Sequence, residues 1–280
     1  MKEYLDIVRH VLDAGERKPN RTGVDAISVF GVHYKINLAE GFPLLTTKKV
    51  NINAVLHELL WYLSGETHIR NLREHTKIWD RWTSEEKNWE VGRLYGYQWV
   101  KWEYFTRNPD TGEYIPQHIN QIQHVIDTIK TTPFDRRLVV SAWNPADLHR
   151  PGDDPMKPAL PSCHALFMFN VSTDGRLNAH LTQRSADLMI GVPFNIACYA
   201  VLTQMIAQEC GLTLGEFSHY MNDCHIYVNH VEGAHEQLTR TPREKPKLII
   251  AQKPLWGLTF EDFKLENYNP YPPIKFAVAV

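Results

Sequence analysis

Hydrophobic positions along the chain recur with two periods, one typical of helices and one typical of strands. Leu5, Val8 and Val11 keep helical spacing and predict an amphipathic first helix that ends near Gly15. From residue 26 to residue 38, apolar residues follow the two-residue period of a strand, but the phase shifts by one at 30–31. Because such a shift would turn the buried face to solvent, we expect a β-bulge there.

The rest of the chain predicts three more helices and a set of strands. The segment 194–210 is apolar almost all round, which predicts a buried central helix. The other predictions are helices at 52–63 and 119–130, strands at 138–143, 164–171, 177–183 and 247–251, loops at 100–118 and 149–158, and a helix, or a strand leading into one, at 225–238. Since no repeat or linker divides the chain, we expect one α+β domain, residues 1–280, in which helices cover a large mixed or antiparallel sheet.

The composition is that of an ordinary globular protein. Of 280 residues, 43% are hydrophobic and 22% are charged, which excludes a chain that is disordered as a whole. The formal net charge of -2 provides no basic field, so we do not expect a protein that functions mainly by binding nucleic-acid phosphates. The longest apolar run, 196–202, is far shorter than the roughly 18 residues needed to span a bilayer.

The cysteines show no metal-binding or redox spacing. None of the four belongs to a C-x-x-C pair, which argues against a zinc ribbon or a thioredoxin-type site. The charged start of the chain lacks the apolar core of a secretory signal, so we expect a cytoplasmic protein with reduced thiols. Cys198 and Cys210 fall on or beside the apolar helix and are expected to be inert, whereas Cys224 lies among polar residues and is less certain.

Cys163 is the candidate nucleophile, although a lone cysteine beside a histidine is more often structural. If Cys163 begins a strand, His164 points to the opposite face and cannot be its base. A base or a cation must then come from elsewhere in the sequence, and Arg184 and His225 are the candidates. A guanidinium beside the thiol would lower its pKa and raise the thiolate fraction.

Several arginines lie in contexts that suit a phosphate. They are Arg21, the pair Arg136 and Arg137, and Arg184 beside Ser185. A guanidinium fork and a hydroxyl together give several charge-assisted hydrogen bonds, although surface ion pairing is the commoner explanation. Two consecutive arginines at a strand start cannot both face one site from the same side. One solution is that they reach a neighbouring subunit.

Glu58 and a run of tryptophans complete the candidate chemistry. Glu58 lies within an apolar helix pattern, where a carboxylate is either an acid or base of raised pKa or a solvent-facing residue. The tryptophans form either core or a stacking wall for a flat ring, and they are Trp79, Trp82, Trp89, Trp99 and Trp102. The chain has no H-E-x-x-H, P-loop or G-x-G-x-x-G pattern. His225 and His230 lack a third ligand, so no metal is expected.

The chain resembles folate-dependent thymidylate synthases nearly end to end, and most of these candidates lie in the segments that match. The matching segments are 21–23, 41–48, 58–61, 78–80, 95–96, 135–137, 142–145, 163–164, 183–187, 191–195 and 225–227. The resemblance implies a single catalytic domain that pairs sheet to sheet in a homodimer. It also implies that dUMP and 5,10-methylenetetrahydrofolate are the substrates, with no metal, membrane or DNA partner.

The resemblance further implies a role for each site residue. Cys163 would add to C6 of the pyrimidine, which makes C5 a nucleophile toward the folate methylene. The implied catalytic set is Cys163, Glu58, Tyr95, Arg184, Asp187 and Asn195. The implied dUMP ligands are Arg21, Arg184, Ser185, Asp187, Asn195, His225 and Tyr227, with Arg136 and Arg137 supplied across the dimer interface. The implied folate ligands are Lys48, Ile78, Trp79, Trp82, Leu160, Asp187, Gly191, Phe194 and Val280.

Four positions depart from the family pattern and bear on the last step of the reaction. Ser162, Met168, Thr182 and Asn222 stand where the family usually has Pro, Gln, Tyr and Gly. A synthase ends by hydride transfer from the folate, whereas a hydroxymethylase of the same fold adds water. Trp79, Leu160 and Tyr95 resemble the residues that shield the intermediate, which favours the synthase.

Two hypotheses from other functional classes explain less of the sequence. A cysteine hydrolase that uses Cys163, His225 and Asn229 remains formally open, but it gives the arginines no role. A non-catalytic binding protein is less favoured still, because the nucleophile and its supporting residues are all present.

Overall fold

The computed structural model describes residues 1–278, and this part of the chain is a mixed α+β structure. Its helices are α1 (Lys2–Ala14), α2 (Ile52–Ser64), α3 (Arg70–Arg73), α4 (Tyr95–Lys101), α5 (Gln121–Thr131), α6 (Pro145–Leu148), α7 (Gly191–Glu209) and α8 (Val231–Leu238). Its strands are β1 (Glu16–Lys18), β2 (Ala26–Asn37), β3 (Trp102–Arg107), β4 (Tyr114–Ile119), β5 (Val139–Ser141), β6 (His164–Val171), β7 (Arg176–Asp187), β8 (Thr213–Tyr227), β9 (Lys247–Ile250) and β10 (Phe263–Glu266).

A six-stranded sheet organises the fold, with strand order β1-β2-β8-β7-β6-β5. Neighbouring strands are antiparallel except for β7 and β8, which are parallel. A parallel pair needs a crossover connection, and α7 provides it. The predicted α+β class with a large mixed sheet is therefore confirmed.

Helix α7 is the buried centre of the molecule. It contacts β7 and β8 on one side and α2 on another. Tyr199, Leu202 and Ile206 are among its buried side chains, which confirms the helix predicted at 194–210. Helices α1, α2 and α5 also lie where their apolar spacing predicted them, and α2 ends at Gly65 in the left-handed conformation, as expected of a C-terminal glycine.

The β-bulge predicted at 30–31 is wrong. Phe30 pairs with Asp223 and Val32 pairs with Met221, so the register between β2 and β8 is the same before and after Gly31. Ser28 and Val32 face the core on the same phase. Ile27 and Val29 are apolar residues of the opposite, half-buried face, and this two-sided apolar character imitated a phase shift.

The loop predicted at 100–118 is also wrong. β3 and β4 form an antiparallel hairpin whose connecting residues are 108–113. Asn108 accepts backbone hydrogen bonds from Asp110 and Thr111, and Gly112 takes a positive φ. The aromatic and β-branched residues on the two sides of this turn favour strands over a loop.

Most of β8 was not predicted, because the sequence suggested a strand only as an alternative at the start of 225–238. Polar residues such as Ser218, Tyr220 and Asn222 occupy its outer, half-buried face, which hid the strand within a polar sequence. The following helix at 225–238 begins only at Val231, and the strand predicted at 138–143 shortens to β5. The strands predicted at 164–171, 177–183 and 247–251 are present.

Candidate active site

A cavity of about 760 Å³ opens at the carboxyl ends of β7 and β8, beside the first turn of α7. Its wall is completed by α2, by the segment before β2, by the segment 77–82 and by the chain that leads into β6. In sheets with parallel strands, ligands bind where the carboxyl ends of the strands meet a helix N-terminus. The parallel pair β7 and β8 and the helix between them therefore form the cavity, and the side chains that line it determine its chemistry.

Cys163 lies directly before β6 and faces the Arg184 guanidinium. Arg184 Nη2 is 3.6 Å from Cys163 Sγ, and Arg184 also donates to the carbonyls of Pro161 at 2.7 Å and Ser162 at 2.9 Å. The Cys163 N–H donates to the Tyr95 hydroxyl at 2.8 Å. These bonds fix the position of the guanidinium beside the thiol.

Burial and the neighbouring cation act in opposite directions on the Cys163 thiol. Burial raises its pKa above the usual value, and Arg184 is the largest influence that lowers it. Burial is the larger of the two influences, so the expectation of a lowered thiol pKa is corrected. The thiolate is nevertheless the form that Arg184 stabilises.

His164 is a neutral residue of the cavity wall. Its ring stacks on Tyr95 at a centroid distance of 3.8 Å, and its Nδ1 is 2.9 Å from the Tyr199 hydroxyl. Burial lowers its pKa to about 3. A histidine of such low basicity is a poor proton acceptor at neutral pH.

Glu58 is a buried carboxyl on α2, which excludes the solvent-facing interpretation. It accepts a hydrogen bond from Trp79 Nε1 at 2.7 Å. Burial raises its pKa to about 7, more than the bonds from Trp79 and Tyr62 lower it. Glu58 can therefore give up or take a proton near neutrality, as a general acid or base must.

The predicted tryptophan run divides between site and core. Trp79 and Trp82 line the cavity with ring centroids 5.2 Å apart, and Ile78, Leu160 and Phe194 extend the same apolar wall. Trp99 is completely buried in the core instead. Trp89 and Trp102 also lie off the cavity, and Arg73 covers the face of Trp89.

Three of the predicted phosphate ligands meet in the cavity of this chain. Arg21, Arg184 and Ser185 line the cavity. Arg136 and Arg137 do not line it, and both are exposed, with Arg137 bound to the Asp135 carboxylate. The arginine pair thus lies outside the cavity of its own chain.

The predicted ligands of a pyrimidine and a ribose also line the cavity. Asn195 Oδ1 accepts a hydrogen bond from Gln183 Nε2 at 3.0 Å. The Asp223 carboxylate lies 2.7 Å from His225 Nδ1, which orients that ring, and Tyr227 lies beside it. Burial and the carboxylate of Asp187 are the two largest causes that raise the pKa of Tyr227.

These features are matched by a known family. The family model described as thymidylate synthase matches residues 2–280, essentially the whole chain. The chain belongs to the thymidylate synthase family. This is a family of transferases, and the resemblance seen in the sequence is thereby confirmed.

Lys48, which the thymidylate synthase pattern assigns to folate, does not line the cavity. Lys48 is buried, donates to the Met189 carbonyl and lies 4.6 Å from the centre of the Phe276 ring. Burial lowers its pKa to about 8. Val280 lies outside the described residues. The remaining folate residues, including Asp187 and Gly191, line the cavity, and Asp187 also accepts the N–H groups of Met189 and Ile190.

The C-terminal segment reaches the cavity at Val278. Arg81 donates to the Val278 carbonyl at 3.3 Å, and His230 Nε2 donates to the Ala277 carbonyl at 2.7 Å. Arg81 also lines the cavity but was not predicted. Arg81 follows Trp79 by two positions, and its positive charge is the sequence feature that could have identified it as a site residue.

Other residues of the cavity wall were not predicted, although they lie close in sequence to residues that were. Gln183 lies within the matched segment 183–187, and Asp223 lies two positions before the matched segment 225–227, so their position in or beside these segments could have identified them. Ser28 also lines the cavity, and its buried hydroxyl has no protein partner among the described residues. A small polar residue on the core phase of a strand was the signal there.

The four departures from the family pattern do not line the cavity. Ser162 is buried and its carbonyl binds Arg184. Met168 and Thr182 lie within the sheet, where Thr182 Oγ1 is 3.0 Å from His180 Nε2. Asn222 lies on β8.

No metal centre and no membrane span are found in residues 1–278. No group of three or more His, Cys, Asp or Glu side chains in this range is placed to hold a metal ion. No helix in the same range is long and apolar enough to cross a bilayer.

Proposed function

We propose that the protein is a thymidylate synthase that converts dUMP to dTMP with 5,10-methylenetetrahydrofolate as one-carbon and hydride donor. The observation that carries this proposal is the Cys163 thiol held 3.6 Å from the Arg184 guanidinium, inside a cavity that also holds an acid of pKa about 7. The thiol, the cations and the aromatic wall are the three features that this reaction needs together.

Cys163 performs the covalent step. Its thiolate adds to C6 of the uracil ring, and the electron pair of the C5–C6 double bond moves toward O4, which makes C5 a carbon nucleophile. C5 then bonds to the methylene carbon of the folate as the bond from that carbon to N10 breaks. Loss of the C5 proton breaks the remaining bond to N5 and leaves an exocyclic methylene on the ring, and hydride from the released tetrahydrofolate adds to this methylene as the Cys163 thiolate leaves C6. Arg184 supports the thiolate, and Glu58 handles the protons at O4 and C5 because its pKa is near neutrality.

The cavity divides its remaining residues between the two substrates. Asn195 reads the uracil edge, since an amide both donates and accepts. His225 and Tyr227 hold the ribose hydroxyl, and Arg21, Arg184 and Ser185 hold the phosphate. The apolar wall that includes Trp79 and Trp82 takes the flat folate ring. Asp187, Gly191, Lys48 and Val280 complete the folate side in this proposal.

A homodimer of single-domain subunits completes the phosphate site. Arg136 and Arg137 are exposed and lie off the cavity of their own chain, so in this proposal Arg136 and Arg137 of the partner subunit bind the phosphate. Five cationic or hydroxyl ligands then surround a dianionic group, which suits its charge.

The last step is proposed to be hydride transfer rather than addition of water. Trp79, Leu160 and Tyr95 line the site, and Trp79 and Tyr95 are buried, so an exocyclic methylene beside them would be shielded from solvent. The four departures from the family pattern do not line the cavity, and none of them is one of the three shielding residues.

The test is a reaction with defined products. The protein is incubated with dUMP and methylenetetrahydrofolate, and the masses of the nucleotide and folate are measured. A methylated nucleotide with dihydrofolate is expected. A hydroxymethylated nucleotide with tetrahydrofolate would identify a hydroxymethylase instead, and no modified nucleotide would contradict both activities.

A further inference from the structure

Four polar side chains form a line of hydrogen bonds from β2, through β8 and β7, to α7 at the cavity wall. Tyr34 on β2 places its hydroxyl 2.8 Å from His219 Nδ1 on β8. His219 Nε2 is 3.0 Å from Gln183 Oε1 on β7, and Gln183 Nε2 is 3.0 Å from Asn195 Oδ1 on α7. Only Gln183 and Asn195 line the cavity, so Tyr34 and His219 cannot touch a substrate there.

The direction of every hydrogen bond in this line follows from one backbone carbonyl. Gln183 Nε2 also lies 3.0 Å from the Ser185 carbonyl oxygen, which can only accept, so the amide nitrogen must face it. Gln183 Oε1 therefore faces His219 and accepts from Nε2–H. A neutral imidazole with Nε2–H has its lone pair on Nδ1, so Tyr34 donates to Nδ1.

His219 is held in this neutral form by its surroundings. Its side chain is fully buried, and burial lowers its pKa to about 3, with His180, His164 and His33 acting in the same direction. The imidazole therefore has one donor and one acceptor, and both are used. A buried group with both functions satisfied has one favoured orientation.

The same line determines which atoms Asn195 presents to a base. Asn195 Oδ1 accepts from Gln183, so the amide cannot rotate by half a turn without placing its own N–H groups against the Gln183 nitrogen. Uracil presents an acceptor at O4 and a donor at N3, whereas cytosine presents a donor at N4 and an acceptor at N3. In this argument the Asn195 amide in its fixed orientation fits the uracil edge. An amide rotated by half a turn would fit the cytosine edge instead.

We propose that His219, held by Tyr34, is a positioning residue that acts through Gln183 to fix the Asn195 amide and thereby selects uracil over cytosine. This inference rests on the proposed function, because it takes the ligand of Asn195 to be a pyrimidine nucleotide. His219 and Tyr34 are not catalytic residues, since neither lines the cavity.

The experiment measures the binding of dUMP and of dCMP by calorimetry, which needs no turnover. His219→Phe removes the donor to Gln183, so the preference for dUMP over dCMP should fall about three- to tenfold, the value of one hydrogen bond. His219→Gln keeps an N–H donor and should lie between this variant and the wild type. Tyr34→Phe should also lower the preference.

Two controls separate positioning from a general loss of structure. Tyr4→Phe removes an equally buried hydroxyl, which donates to the Leu188 carbonyl, and should leave the preference unchanged. In an Asn195→Asp background, His219→Phe should have no further effect on the preference, because the group through which it acts is gone. A structural role alone would weaken the binding of both nucleotides equally.

The outcomes distinguish this inference from the function on which it rests. A folded His219→Phe protein that keeps the full preference for dUMP would overturn the inference alone. If His219→Phe does not fold, Tyr34→Phe decides in the same way, since it removes a single oxygen atom. Wild-type protein that binds neither nucleotide would contradict the proposed function and this inference together.

Discussion

Cys163 owes its candidate role to its neighbours, because three other cysteines of the same chain lack them. Cys210 is half-buried, and burial raises its pKa to about 11, with no guanidinium beside it. Cys198 and Cys224 are buried, and burial raises both thiol pKa values. The Lys130 ammonium also favours a thiolate at Cys210, but Cys210 does not line the cavity, whereas Cys163 lines it with Arg184 Nη2 3.6 Å from its sulfur.

Replacement of the nucleophile should separate binding from chemistry. Cys163→Ala should abolish turnover of dUMP while dUMP binding remains measurable, because the phosphate and ring contacts do not require the sulfur. Product formation and equilibrium binding are measured on the same preparation. Cys210→Ala is the matched control and should keep the activity, since Cys210 does not line the cavity. Wild-type rates from Cys163→Ala would refute the assignment.

Glu58 links catalysis and stability to pH. Its pKa is about 7 in the folded protein against an ordinary value of 4.5, so the folded state holds a proton that the unfolded chain has released. The free energy of unfolding therefore falls as pH rises from 4.5 to about 7, by about 3 kcal/mol if the whole shift is expressed. Above that range the contribution is constant.

Glu58→Gln should remove both effects. We expect kcat to fall about 10²- to 10⁴-fold, the usual value of a general acid or base. The loss of stability between pH 4.5 and 7 should be smaller than in the wild type, as measured by denaturant unfolding at several pH values. The exposed Glu232→Gln on α8 is the control and should behave like the wild type. An unchanged pH dependence in Glu58→Gln would argue against the raised pKa.

At the scale of elements, helices were more predictable than strands. The apolar spacing of α1, α2 and α7 is a property of each segment alone, so the sequence predicted all three. β8 was missed because its polar outer face has meaning only beside β2 and β7, which are distant in sequence. Pairing between distant segments is the information that a local pattern lacks.

The contact between α2 and α4 is an element-scale constraint on the site. Gly96 on α4 lies against the backbone of Tyr62 on α2, and a Cβ at this position would overlap the Tyr62 carbonyl. These two helices carry Tyr95 and Glu58, which line the cavity. The close approach of the helices therefore sets the positions of both side chains.

Gly96→Ala should push the two helices apart. We expect a loss of about 1–3 kcal/mol in the free energy of unfolding, as for other overpacked contacts, together with reduced turnover. Denaturant unfolding and product formation are the measurements. Gly152→Ala is the control, because a Cβ at Gly152 meets no atom within 4 Å. Equal stability of the two variants would show that the helices can separate without cost.

At the scale of the molecule, the motifs predicted most of the cavity wall but not its support. Residues named from the family resemblance, such as Cys163 and Asn195, do meet in one cavity. Tyr34 and His219 could not be predicted, because their connection to Asn195 exists only when β2, β8, β7 and α7 are assembled. Residues that act through others leave no local signal in a single sequence.

The exposed arginine pair leads to the last prediction, which concerns the dimer. Arg136 lies off the cavity of its own chain, so we expect it to serve the partner's site. Inactive Arg136→Ala and inactive Cys163→Ala proteins should then complement when subunits exchange. Each mixed dimer has one site with both defects and one with neither, because a two-fold interface is isologous. Activity should recover to at most about half the native value per mixed dimer.

A matched mixture tests whether this recovery comes from shared sites. Cys163 and Glu58 line the same cavity of one chain, so a mixture of Cys163→Ala and Glu58→Gln leaves one defect in every site. This mixture should stay inactive although its subunits exchange equally well, as followed by mass spectrometry of labelled subunits. Recovery in both mixtures would point to reversion or carry-over. No recovery in the first mixture despite exchange would mean that Arg136 serves its own subunit.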